Sequence, residues 1–220
     1  MKNILLIGGS YGIGLAIAKE IESGNNVFVA SRTNENLEDL NVTHIPFDAL
    51  NDTLDLSTLP AVIDGLVYCP GSINLRPFRG LKPEAFENDL QINFISLVKV
   101  IQSILPNLTA SEQSSIVLFS SVAASMGMPF HTSVAASKGA IEGFAKALAA
   151  EYAPKIRVNV IAPSLTDTPL ADKFLNNETK QEKSAERHPL KRFGKPDDIA
   201  QMASFLLSDK SSWISGQTFN

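Results

Sequence analysis

The chain has 220 residues, 44% hydrophobic, 19% charged and 7% aromatic, which excludes a disordered or low-complexity protein and suits one α/β domain or two small ones, burying roughly 70% of the unfolded surface. Lys and Arg total 19 against 23 Asp and Glu, a net charge of -4, so there is no basic excess to neutralise a phosphate backbone and nucleic acid is not an expected partner. The single cysteine, Cys69, can form neither an intrachain disulfide nor a cysteine-based zinc site alone, and the three histidines lack ligand spacing; a cytoplasmic setting and no metal are expected.

The chain opens Met1-Lys2-Asn3 and enters at once the apolar run 4–7, too short for a signal h-region or a membrane span. No later apolar run reaches the length of a span without a charge or a Gly/Pro break, so no membrane is expected as a partner. Further runs at 27–30, 44–47, 65–69, 115–119 and 157–161 are apolar almost throughout rather than alternating. Such runs predict strands covered on both faces, hence a parallel sheet with helices on either side. Helices are expected over 14–23, 83 to about 105, 133–152 and Pro196–Leu207, the last opened by Pro196-Asp197-Asp198 as a first turn should be. Strand and helix alternate without repeat, linker or charge block, which predicts a single Rossmann-type, doubly wound α/β domain over 1–220. Residues 34–60 leave room only for very short helices around one strand. Residues 164–195, polar and bounded by Pro and Gly, are read as a mobile, structureless flap over a substrate site, with an ordinary solvated connection as the plainer alternative.

The first run leads directly into Gly8-Gly9-Ser10-Tyr11-Gly12-Ile13-Gly14 and then a helix. Glycines let the backbone approach a pyrophosphate, and a helix N-terminus adds unpaired N–H groups and the positive end of its dipole. The Gly-x3-Gly-x-Gly spacing differs from the general dinucleotide fingerprint, so the turn alone also admits a nucleotide-binding transferase. After the second run, where an NAD-binding fold offers an acid to the ribose hydroxyls, stands Ser31-Arg32-Thr33. A guanidinium with hydroxyl neighbours suits a 2′-phosphate, favouring NADP(H) over NAD(H); an ordinary exposed arginine is the plainer alternative.

With these features the chain resembles the short-chain dehydrogenase/reductase family, in particular its 3-oxoacyl-[acyl-carrier-protein] reductase-like branch, over essentially its whole length. Gly8, Gly12 and Gly14, with the intervening Ser10, Tyr11 and Ile13, match the family's cofactor turn, and Asp48 the residue that meets the adenine. Cys69-Pro70-Gly71 stands for the usual Asn-Ala-Gly and keeps only Gly71. Asn93 matches the asparagine of the proton relay, Ser121 the serine that bonds the substrate oxygen, and Lys138 the lysine that binds the nicotinamide ribose and lowers a tyrosine pKa. Pro163-Ser164-Leu165-Thr166-Asp167-Thr168 resembles the Pro-Gly-x-x-x-Thr segment, Thr168 being placed to meet the carboxamide. Gly194-Lys195-Pro196 and Trp213-Ile214-Ser215-Gly216-Gln217 match the closing segments. Relative to the family the sequence is expected to lack the tail that completes a last strand.

The departure that matters is Val134, where the family has a tyrosine four residues before the lysine, on the same helix face. Two replacements for the missing acid are open: His131, whose imidazole suits general acid chemistry, and a water ordered by Ser121, Asn93 and Lys138. The resemblance implies a carbonyl or 3-oxoacyl reductase with an atypical proton donor, acting on a small carbonyl compound or acyl thioester and assembled as a homotetramer or dimer through helices 83–105 and 133–152. Val134 supports the competing reading, a weak or inactive cofactor-binding sensor or structural subunit. Cys69 is expected to be a small buried hydrophobe and Trp213 a core or interface aromatic.

Overall fold

A computed structural model describes residues 1–220. Seven strands form one parallel sheet: β1 Asn3–Ile7, β2 Asn26–Ser31, β3 Val42–Pro46, β4 Gly65–Tyr68, β5 Ser114–Phe119, β6 Ile156–Ile161 and β7 Thr218–Phe219, in the spatial order β3-β2-β1-β4-β5-β6-β7. The continuous apolar runs have the predicted cause. All six residues of β5 and of β6 are buried, because helices cover both faces. Eight helices accompany the strands. The four long apolar ones are α1 (Gly12–Ile21), α3 (Ser96–Ala110), α5 (Thr132–Tyr152) and α8 (Pro196–Leu207); the short or charged ones are α2 (Pro83–Leu90), α4 (Val122–Ser125) and, within the expected flap, α6 (Asp172–Leu175) and α7 (Glu178–Arg187). Along β1, Leu5 and Ile7 join the core beneath α3 and α5, while Ile4 and Leu6 pack under α1 and α8.

The strand register sets the site. Ile7 aligns with Ala30 on one side and Tyr68 on the other, Tyr68 with Leu118, and Leu118 with Val160, so the strands end at one level. The order reverses between β1 and β4, which opens a crevice at their C-terminal ends. Arg157, on β6 and 4% exposed, closes the opposite end: its guanidinium donates to the Leu206 and Ser208 carbonyls at the C-terminus of α8, where a cation is favoured.

Several expectations need correction. The 164–195 segment is not structureless: it carries α6 and the ten-residue α7, and its two ends are pinned by a bridge between Thr166 and Gly194. Residues 34–60 hold turns around β3 and no helix. The helix expected over 83–105 runs from Pro83 to Ala110, with Gln91–Ile95 widened into a π turn. By length and composition it could cross a membrane, but Leu97, Val100, Ile101, Ile104 and Leu108 are buried in the core, so it is a core helix. Thr218 and Phe219 do pair with β6 as a two-residue last strand. Trp213 is 99% exposed and belongs to no core.

Candidate functional site

The cofactor end is built by the turn between β1 and α1. A Cβ on Gly14 would lie 2.2 Å from the Gly8 carbonyl oxygen, and Gly12 has φ +54 with Thr168 side-chain atoms 3.3 Å from where its Cβ would be. Only glycine fits both positions. Tyr11 precedes α1 without capping it, and its hydroxyl turns outward to Glu35 at 3.0 Å, so no side chain covers the N–H groups of the first helical turn. This bare, uncapped helix start suits a dinucleotide diphosphate. Beyond β2, Arg32 is exposed and has no ion-pair partner. Ser31 is buried and donates its hydroxyl to the Thr33 carbonyl, while Thr33 donates to Ser10 at 3.4 Å; the hydroxyls around Arg32 brace the turn. Asp48 receives the Leu50 N–H, which with the Asn51 amide and the Arg32 charge holds its carboxyl below the ordinary range.

The chemical end is a cavity of about 540 Å³ lined by Ile13, Gly71, Ser121, His131, Val134 and Lys138 among others, Pro163 and Thr168 included. Ser121 caps α4: its Oγ accepts the Ala123 N–H at 3.2 Å, so its own hydrogen is free to donate. Lys138 is 8% exposed and donates from Nζ to the Phe119 carbonyl at 2.9 Å. Burial pushes its ammonium down to about 8, against the opposing pull of Cys69 and Asp89. Val134, one helical turn earlier, is 5% exposed. His131 donates from Nδ1 to the Pro129 carbonyl at 2.7 Å, which leaves Nε2 as its free nitrogen. Cys69 is half-buried on the same wall, and burial raises its thiol to about 12, so it stays protonated and unreactive.

Asn93 lies behind this wall rather than on it. Fully buried in the π turn, it donates to the Ser72 and Ser137 hydroxyls at 3.0 Å each and accepts the Ser72 N–H at 3.1 Å. Ser72 in turn donates to Asp89 at 2.6 Å. A Cβ on Gly71 would come 3.0 Å from Asn93 Oδ1 and 3.3 Å from Lys138 Nζ, so Gly71 lies tight against both this brace and the lysine head. A π turn in such a place is common at functional sites, because the extra residue re-aims one side chain. Sequence reasoning misses Ser72, Asp89 and Ser137. The available signal is Asp89, four residues before Asn93 on one helix face.

A family model described as enoyl-(acyl carrier protein) reductase matches residues 8–220. The chain is 32% identical to the 3-oxoacyl-[acyl-carrier-protein] reductase FabG of Thermotoga maritima, over 98% of this chain and 94% of that protein. Among solved structures, the aldohexose dehydrogenase of Thermoplasma acidophilum superposes with a TM-score of 0.90 at 26% identity, covering 99% of this chain and 91% of that one. A 4-hydroxyisoleucine dehydrogenase complexed with NADH gives 0.89 at 26% identity, covering 100% and 96%.

Proposed function

In a chain that belongs to the short-chain dehydrogenase/reductase family, we propose that this crevice is an NADP(H)-dependent reductase site for a ketone or 3-oxoacyl compound, with a proton source other than a phenol. The observation that carries the reading is the meeting of Ser121 and Lys138 on one cavity wall with Ile13 of the glycine turn and Thr168. When bound, the nicotinamide supplies the hydride. Gly8, Ser10, Gly12 and Gly14 would hold the diphosphate at the start of α1, Asp48 and Gly71 the adenosine side, and Pro163 and Thr168 the nicotinamide end. Ser121 donates its free hydrogen to the substrate oxygen, where negative charge develops. The Lys138 ammonium, made more acidic by burial, delivers the proton to that oxygen directly or through one water. Asn93, Ser72 and Ser137 hold the lysine wall in place, and His131 Nε2 is the alternative donor.

The second reading, a cofactor-binding protein without useful catalysis, is favoured by the apolar Val134 beside Lys138. Following NADPH absorbance with ketones and 3-oxoacyl thioesters separates the two: decay supports reduction, and bound but unconsumed NADPH supports the second. The preference for NADPH rests on Arg32. NADPH is expected to bind at least tenfold more tightly than NADH, since a charge-assisted pair contributes ~1.5–3 kcal/mol. Fluorescence titration of Arg32→Ala should erase the difference; equal constants in the parent protein would refute the assignment. Self-association as a tetramer or dimer is assigned to α3 and α5, where Ala136, Gly143 and Ala147 of α5 and Ile95, just before α3, are exposed. A single cysteine, Cys69, that forms no disulfide fits a reducing, cytoplasmic setting.

A further inference from the structure

The cavity wall carries a charge pattern that the chain as a whole does not. Lys173, Lys180, Lys183 and Arg187 all line it, and no aspartate or glutamate does, in a protein whose net charge is -4. The arrangement comes from α7. Positions 180, 183, 184 and 187 recur at helical spacing, and all four residues line the cavity; Glu178, Glu182 and Glu186 recur every four residues and stay off its wall. Two of the cations are tethered, with Lys173 donating to the Ile73 carbonyl at 3.0 Å and Lys180 to the Lys173 carbonyl and Asn176 at 2.8 and 2.9 Å. Lys183 and Arg187 are not. Neither has an ion-pair partner, the two ion pairs in the molecule being Lys2–Asp209 and Arg192–Asp198. The same cavity that holds these cations and Ser121 is also lined by the apolar Ile73, Leu75, Met128, Leu170 and Phe174.

We propose that the carbonyl compound taken by this cavity carries an anionic group, a carboxylate or a phosphate, held by Lys183 and Arg187 of α7 while its apolar body lies between them and Ser121. The inference rests on the reductase reading and names its substrate class. Low-dielectric walls bearing one sign of charge concentrate the opposite sign, and a guanidinium can meet a carboxylate or phosphate through two parallel hydrogen bonds. The glycine turn that would receive the cofactor diphosphate abuts Thr168 and Pro169, whereas the cations begin at Lys173, which reaches across to the 72–73 loop, so their charge is left for the substrate.

A matched set of ketones, ending in a carboxylate, a phosphate monoester or the methyl ester of the same carboxylate, tests this. Binding is read by calorimetry with and without NADPH, and turnover by NADPH absorbance. Both anions are expected to bind at least tenfold more tightly than the ester, and the stronger of the two identifies the group. The double variant Lys183→Glu/Arg187→Glu should lose that preference while NADPH binds it as tightly as the parent; Lys183→Gln/Arg187→Gln should lose part of it. An ester that binds as well as the acids, or a fall in NADPH affinity in the charge-reversed variant, would overturn the proposal. Anion preference without any turnover would discard the reductase reading and keep the anion site. Equal turnover and equal binding of ester and acids would do the reverse.

Discussion

Replacing Val134 by tyrosine is expected to raise NADPH-dependent turnover of a reactive ketone at least tenfold. Val134 sits on the cavity wall one helical turn before Lys138, and Ser121 lines the same space. A phenol placed there enters a cavity of about 540 Å³ rather than the packed core, so overpacking is not the dominant cost. The Lys138 ammonium would favour the phenolate and lower the phenol's pKa, giving a general acid close to the developing oxyanion. Positioned acids contribute on the order of 10²–10⁴ in rate, so tenfold is a conservative threshold. His131→Ala in the parent protein discriminates the donors: if the imidazole supplies the proton, activity collapses, and the loss shrinks in the tyrosine variant because two donors at one oxygen are not additive. With Lys138 as the donor, His131→Ala should cost less than tenfold.

Lys138→Met is expected to lower turnover on the order of 10²-fold or more, the usual contribution of a positioned acid. The parent protein should show the matching pH dependence. Burial lowers this ammonium from the ordinary lysine range to about 8. With Lys138 as the acid its charged form is the donor, so turnover should be full below that pH and fall about tenfold per unit above it. Asp89, whose charge opposes the effect of burial, should shift this limb: Asp89→Asn is expected to move it to lower pH. A flat profile between pH 6 and 10 in the parent, or an unchanged profile in Lys138→Met, would remove the lysine from the chemistry. Since Lys138 Nζ also satisfies the buried Phe119 carbonyl, thermal unfolding of the variant separates loss of fold from loss of function.

The strands are legible in the sequence because burial on both faces leaves runs with almost no polar residue, and five of the six expected runs overlap the observed strands to within a residue at each end. The third is displaced, expected at 44–47 and found at Val42–Pro46, since an edge strand buries only part of its surface. The bounds of α8 follow to the residue because Pro196 and the two aspartates after it mark its first turn, where Asp198 also accepts the Lys195 N–H. Helix α7 is not legible. Glu178–Arg187 contains one apolar residue, Ala185, so it has no hydrophobic period; its start is set by Asn177, whose side chain accepts the Lys180 N–H. The lack of a period also hides the cationic face, which becomes visible only when the helix folds back over the crevice. At the site, Ser121, Lys138, His131 and Val134 line one cavity, whereas Asn93 stands behind its wall, because its hydrogen-bond partners come from the 71–72 loop and from Ser137, 44 residues away.

Hydride transfer to a carbonyl in a crevice without a tyrosine can be followed atom by atom in a single-turnover reaction of the parent protein with NADPH deuterated at the transferring C4 position. The alcohol product is weighed by mass spectrometry across ketones and 3-oxoacyl thioesters. A reductase site with Lys138 as its acid yields an alcohol carrying one deuterium for each NADPH consumed, formed faster at pH 7 than at pH 9. NADPH that binds and is recovered unchanged, with no deuterated alcohol from any carbonyl in either the parent or Val134→Tyr, would contradict that chemistry and leave a cofactor-binding protein without reductase activity.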